Sequence, residues 1–452
     1  MADPSMVLAS VLLSLVVVYI ASKLGGELCN KVDLPPVLGE LVAGVLVGVS
    51  ALHLLMFPGG AIEASESIVM QTIQLTAHLR PAELTATFEA QSEVISVLAE
   101  LGVLILLFEI GLQSNLKELL KVGVQATTVA VVGVVTPFAL GTAGLMLGFG
   151  VSAIPAIFAG AALTATSIGI TAKVLAELGQ LKTREGQIIV GAAVMDDVLG
   201  IIVLAIVGGL VKTGEVQVSN VLILMASAAA FLIGGVWLGR LIMPGFIKLI
   251  DRLQTRGNLL VSGLVFAFTL SYIGAVIQLE AILGAFIAGL ILAETERHQE
   301  LEEQVMPIAD FLVPIFFVVV GARTDVSVLN PFNPANQEGL LVAAFLMIVA
   351  IVGKLVTGFV VFGQPGINRW AIGIGMIPRG EVGLVFAAYG AASGVLDPSL
   401  QAAIIVMVIV TTFIAPPLLR VAFGDQVPNQ ALGQISGQIP DSISVDGPDL
   451  ES

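Results

Sequence analysis

The chain has 452 residues, of which 57% are apolar and only 12% charged. Soluble proteins carry about 25% charged residues. A chain this poor in charge cannot cover its own surface in water, so most of that surface faces lipid. Nineteen basic and 34 acidic residues give a net charge of −15, which argues against a nucleic-acid partner. The single Cys29 excludes an intramolecular disulfide, and three histidines (His53, His78 and His298) are a poor basis for structural zinc. The composition is that of an all-α, polytopic membrane protein.

A hydrocarbon core about 30 Å thick needs roughly 20 apolar residues in a helix, and only helices meet that need repeatedly in one apolar chain. Thirteen segments qualify, over about 6–24, 36–54, 94–112, 122–148, 153–175, 186–211, 219–243, 257–277, 281–293, 303–321, 337–362, 369–392 and 398–421. The first is expected to be a membrane helix, not a cleavable signal, because Asp3 precedes it and no basic run does. Residues 57–91 are polar and acidic and read as an extramembrane insert. Residues 425–452 read as a disordered acidic tail with Pro428, Pro440 and Pro448 and five carboxylates. With the N-terminus outside, the inside loops collect 13 basic residues and the outside loops only Arg80, Lys212 and Arg323. The C-terminus is then cytoplasmic. Lys173, Lys354 and Arg379 are left inside helices.

The second segment reads VLGELVAGVL from Val37 and the ninth ILGAFIAGLI from Ile282, sharing LGxxxAG at an offset of 245. The third, from Glu100 to Gly111, matches the tenth, from Asp310 to Gly321, at an offset of 210. The difference of 35 is about the length of the polar insert. Equivalent segments are seven apart in order, so they cross in opposite directions. This predicts an inverted-topology repeat, about 6–211 and 257–421 joined by a linker helix at 219–243. Such repeats mark secondary transporters that alternate access about a midplane site.

Asp196 and Asp197 fall in the middle of the sixth segment, where one charge costs at least about 2.5–3.5 kcal/mol. Helix neighbours point about 100° apart, so Asp196 and Asp197, the candidate cation- and proton-binding pair, cannot both face one partner: one can hold a cation while the other faces a cavity. Lys354, in VGKL of the eleventh segment, is the natural partner for such a charge. Two segments look built to break: the fifth at Leu163-Thr164-Ala165-Thr166-Ser167-Ile168-Gly169, and the twelfth around Pro378, Arg379 and Glu381 among several glycines. These lie at repeat-equivalent positions about 212 apart, as a crossed pair requires. Proline removes a backbone donor and glycine lowers the cost of unwinding. Freed carbonyls and Thr or Ser hydroxyls then ligate a bare cation. Glu40, Glu100, Glu109 and Asp310 lie nearer helix ends and read as interfacial or packing carboxylates, with Glu109 the most buried.

PPVLGELVAGVLVG, LAELGVLILLFEIGL, LTATSIGIT, AVMDDVLG, VGK and MIPRGEVGLVFAA together resemble the cation:proton antiporter superfamily, in its bacterial sodium/proton exchanger branch. The resemblance spans roughly residues 10–420. It implies a core domain moving against a dimerisation domain in a homodimer, with crossed discontinuous helices beside the carboxylates. It implies that Asp197 is the main cation and proton carrier and that Asp196 pairs with Lys354. Thr164, Thr166 and Ser167 would line the first break, Arg379 and Glu381 the second. Na⁺ or Li⁺ exchanged for H⁺ is expected, electrogenically, with no resident cofactor. The Asp-Asp pair disfavours a K⁺/H⁺ exchanger, whose relatives usually replace the first Asp. A sodium-coupled organic-solute symporter would not need the pair and its lysine. Adjacent aspartates on one helix cannot form the facing dyad of an intramembrane protease.

Overall fold

The computed structural model describes residues 3–58, 63–213, 218–250, 252, 255–326, 334–363 and 365–424. The 425–452 segment read as a tail lies outside the described residues. Helices α1 (Pro4–Lys31), α4 (Pro81–Gln113), α6 (Gly123–Gly148), α9 (Arg184–Thr213), α10 (Val218–Ile250), α11 (Asn258–Val276), α13 (His298–Ala322), α14 (Pro334–Leu355) and α17 (Pro398–Phe423) are long and apolar enough to cross a membrane. Four further segments complete the thirteen among the described residues. Two are short, α2 (Pro36–Val47) and α12 (Ala281–Leu292), and two are broken, α7 (Ala153–Ala162) with α8 (Ile168–Glu177), and α15 (Arg369–Gly375) with α16 (Glu381–Ala392).

Three boundaries depart from the hydropathy reading. The second segment is helical only to Val47. At Gly48 the backbone turns extended, because a side chain there would strike the Ala322 carbonyl. The polar insert holds a short helix, α3 (Ile68–Ala77), but its last third is already the first three turns of α4. Leu84, Thr87, Phe88, Gln91, Ser92 and Ile95 repeat every three or four residues and are buried, a helical period that overrides low hydropathy. The eleventh segment leaves α-geometry after Leu355 and ends in 3₁₀ turns at Val356–Val360.

The helices form two bundles. One packs α1, α2, α4, α11, α12 and α13; the other packs α6 to α9 and α14 to α17, with α10 touching both at α9 and α12. The inverted repeat is written in the first bundle as reciprocal glycine contacts. Gly44 of α2 lies on Gly321 of α13, and its repeat equivalent Gly289 of α12 lies on Gly111 of α4. At each crossing a Cβ would come within 2.9–3.0 Å of the facing glycine Cα. Small residues let helix backbones close in lipid, where no hydrophobic force drives helices together. Substituting Gly44→Val should therefore destabilise by at least about 1–3 kcal/mol through overpacking. Gly234, which has open space around it, should accept Ala with no loss. Thermal melts of the two detergent-purified variants test this, and equal melting temperatures would contradict the packing argument.

Candidate functional site

Asp196 and Asp197 sit at the centre of α9, 0% and 4% exposed. Asp196 Oδ2 accepts from Lys354 Nζ at 2.9 Å, and neither side chain is exposed. Lys354 reaches it from the last turn of α14, past α6. Its ammonium lies 3.0 Å from where a Cβ on Gly133 would be, so any other residue there would crowd the charge. Pro137 packs against Gly353 and removes the donor that Gly133's carbonyl would meet in a regular helix. Thr357, in the 3₁₀ turn, returns a hydroxyl to the Lys354 carbonyl at 2.6 Å. Gly133, Pro137 and Thr357 were not singled out from the sequence. A proline four residues after a glycine in an apolar helix is the only local signal they give.

The two breaks, Leu163–Ser167 and Met376–Gly380, cross and bond to each other. Ser167 N–H donates to the Pro378 carbonyl at 2.9 Å, Thr166 Oγ1 to Met376 at 3.1 Å, and Thr171 Oγ1 to Gly375 at 2.9 Å. Arg379 Nη1 donates to the Met376 and Ile377 carbonyls at 3.1 and 3.2 Å, and Thr412 Oγ1 donates to the Arg379 carbonyl. The carbonyls of Gly375, Met376, Ile377 and Pro378 at the second break thus each accept at least one hydrogen bond. The guanidinium caps the C-terminal, partially negative end of α15.

Hydroxyls of the first break are disposed differently. Thr164 Oγ1 donates to Ala161 at 2.8 Å within its own helix, the bland role open to any threonine. A hydroxyl that donates keeps lone pairs for a cation, so Thr164 and Thr166 retain ligand capacity. Ser167 stands at the N-cap of α8 without capping it, and its buried Oγ has no hydrogen-bond partner among the described residues. Also without one are Asp196 Oδ1 and Arg379 Nε and Nη2. Gly380 faces Ser167 so closely that a Cβ would come within 2.8 Å of its Oγ. The Glu381 side chain lies outside the described residues. Among the described residues no cluster of three His, Cys, Asp or Glu side chains is placed to hold a metal ion. The site offers two carboxylates and a set of hydroxyls, a donor set that suits a small hard cation.

The lesser carboxylates fall elsewhere. Glu40 accepts from Ser22 Oγ at 2.8 Å, Glu109 from Gln113 at 3.4 Å, and Asp310 is exposed. Glu100 lines a cavity of about 330 Å³ between α4, α13, α16 and α17, which reaches Gly380 and Thr412 at the second break. On the opposite face the bundles meet directly. Val37 N–H donates to Glu177 Oε2 at 3.4 Å, and Arg420 pairs with Asp33 at 3.7 Å.

Crossed broken helices beside a buried carboxylate–lysine pair, in an inverted repeat, define a polytopic secondary transporter. The sodium/hydrogen exchanger transmembrane family model matches residues 9–423, and the chain belongs to that family. It is 67% identical over 418 residues to the high-affinity Na⁺/H⁺ antiporter NhaS3 of Synechocystis sp., covering 92% of this chain and 91% of that one. It is 31% identical to the Na⁺/H⁺-K⁺ antiporter GerN of Bacillus cereus over 90% of this chain and 95% of that one. The fold matches the sodium proton antiporter MjNhaP1 of Methanocaldococcus jannaschii with a TM-score of 0.59 at 14% identity, covering 92% and 97% of the two chains.

Removing one partner of a buried ion pair costs about 3–5 kcal/mol, whereas removing both restores much of it. Lys354→Ala should therefore lower the melting temperature of the purified protein. Asp196→Asn combined with Lys354→Gln should melt closer to wild type than the two single changes sum to. Strict additivity in this cycle would mean that the 2.9 Å contact carries no coupling.

Proposed function

We propose that the chain exchanges Na⁺ for H⁺ across the membrane by alternating access, with Asp197 as the carrier that takes either ion in turn. One observation carries the reading: a carboxylate at the centre of α9 buried together with a lysine from the last turn of α14, next to a second buried carboxylate and two crossed breaks. A membrane protein keeps such charges where an ion must be bound and released. Protonated, Asp197 is neutral and tolerates burial; deprotonated, it needs a cation. Proton and Na⁺ therefore exclude one another, which is the condition for exchange without leak.

Asp197, with oxygens of Thr164, Thr166 and Ser167, forms the Na⁺ ligand set in this reading. Lys354 holds Asp196 ionised, and Arg379 with Thr166 and Thr171 holds the second break in shape. The bundle of α6 to α9 and α14 to α17 is the moving body. The cavity reaching Gly380 gives access from the Arg323 face, while Arg420–Asp33 and Glu177–Val37 close the other. Movement that breaks these contacts and closes the cavity delivers the ion to the opposite side. The exposed apolar face of α1, with Leu8, Leu12, Val16, Ile20, Leu24 and Leu28 on one line, meets lipid or a second copy in a homodimer. The excess of basic residues in alternate loops supports an outside N-terminus and a cytoplasmic C-terminus.

The test is transport in proteoliposomes under an imposed pH gradient, comparing Na⁺, Li⁺ and K⁺. Na⁺ and Li⁺ should support exchange and K⁺ should not; the reverse order would make the chain a K⁺/H⁺ exchanger. Asp197→Asn should abolish exchange while the protein melts no lower than wild type, because a burial cost is removed. Retained exchange in that variant would overturn the reading of the site.

Charge movement follows from Lys354. If Asp196 releases Lys354 when Na⁺ binds, Lys354 gives up a proton as well as Asp197, and two protons leave for one Na⁺. Na⁺ uptake at zero pH gradient should then respond to a potential set by valinomycin and K⁺. Indifference to that potential would mean one proton per Na⁺, with Lys354 a fixed counter-ion.

A further inference from the structure

The insert at 57–91 has no part in the site, yet its placement over the access cavity is specific. Outside that cavity lies a second, open cleft of about 580 Å³, lined by Phe57, Pro58, Glu89, Glu93 and their neighbours. Cleft and cavity share two lining residues, Ser96 and Arg323. They therefore adjoin, with Arg323 at their shared wall. On α4 the cleft's Glu89 and Glu93, the shared Ser96 and the cavity's Glu100 follow at helical spacing. This acidic stripe runs inward along one helix face. Ser92, in the same stretch, is 4% exposed, lines the cleft, and its Oγ has no hydrogen-bond partner among the described residues.

Arg323 is held at the shared wall from two sides. One guanidinium nitrogen donates to Ser96 Oγ, and the carbon of the group lies 4.5 Å above the centre of the Phe57 ring, within cation–π range. Phe57 is itself buried and packs into the main apolar core, while its neighbour Met56 joins Ala64, Val69, Met70, Leu84 and Phe88 in a small separate core of α3 and the start of α4. A buried aromatic ring at the start of the insert thus lies under a charge that stands between two cation-attracting compartments.

We propose that monovalent cations reach the exchange site from this face through the cleft and then the cavity, and that Arg323, braced by Phe57, is the electrostatic gate between them. This rests on the exchange function proposed above. The carboxylates concentrate cations at the mouth, since clefts lined by one sign of charge raise the local concentration of the opposite ion. A fixed guanidinium at the shared wall opposes their passage. It limits how readily the site fills from this side without touching the bound ion. Arg323 is a positioning and access residue, and its effect belongs in KM for the cation on one face.

The experiment measures Na⁺ KM and kcat separately for each face, in proteoliposomes of fixed protein orientation. Arg323→Gln should lower Na⁺ KM on the Arg323 face about three- to tenfold with kcat within twofold, the pattern of a change in ground-state access. Phe57→Ala should shift KM in the same direction by less, since it loosens the guanidinium without removing its charge. Glu89→Gln with Glu93→Gln should raise KM on that face, and high ionic strength should shrink every one of these shifts. Arg323→Lys should stay near wild type; a fall in KM matching that of Arg323→Gln would make the effect one of packing and overturn the gate. Shifts that are absent, or equal on both faces, overturn it too. Asp197→Asn run alongside separates the failures. If it abolishes exchange while these KM values do not move, the gate alone fails; if it exchanges normally, the reading of the site fails with it.

Discussion

A buried charge in a low-dielectric interior must be matched, and the Asp196–Lys354 contact is where this protein meets that requirement. The desolvation of two such groups is worth several kcal/mol each, so the pair persists only while α9 and α14 stay in register. Everything around it serves that register. α6 thins to glycine at Gly133 to let the ammonium pass, and the 3₁₀ turn after Leu355 brings Thr357 back to the Lys354 carbonyl. Repacking any of the three helices displaces the charge from its partner.

The crossed breaks add a second balancing of polar groups. Unwinding a helix in an apolar interior frees carbonyls and amides that must find partners. Here the breaks largely satisfy each other: the Thr166, Thr171 and Ser167 donors from one side meet the Gly375, Met376 and Pro378 carbonyls from the other. The mutual bonding locks the breaks into one body, which is what a site that must move intact between two faces needs. A few buried polar atoms at the breaks and the ion pair are left without a hydrogen-bond partner among the described residues. They are Ser167 Oγ, Asp196 Oδ1 and two guanidinium nitrogens of Arg379.

The two bundles differ in how they are held. In the first, backbones meet at glycine pairs related by the inverted repeat, Gly44 with Gly321 and Gly289 with Gly111. Such tight contacts resist sliding. Between the bundles an apolar core is continuous, with Gly169 of α8 against Val103 and Phe316; Glu177–Val37 and Arg420–Asp33 add polar contacts toward one face, and a cavity opens toward the other.

Apolar runs of about 20 residues, the Asp196-Asp197 doublet and the proline and glycines around Arg379 were enough to read the span count, the midplane charges and the two breaks. Each is a local cost that lipid imposes on the chain, and such costs are visible residue by residue. The repeat was legible for the same reason, since LGxxxAG records where backbones must touch. The fate of the polar insert was not. Its low hydropathy hid a helical period that only packing against α1 and α3 rewards, so the sequence alone placed the start of α4 some thirteen residues too late. Nor did spacing reveal that Arg379 and Thr166 donate to the freed carbonyls, or that Phe57 lies under Arg323. Thr166 and Met376 are 210 positions apart in the chain, and no local pattern encodes a contact made only when two distant helices cross. The sequence determined which groups are too costly to bury alone; the tertiary structure decided which distant group answers each, because hydrogen bonds and ion pairs depend on geometry that arises only when the bundles close.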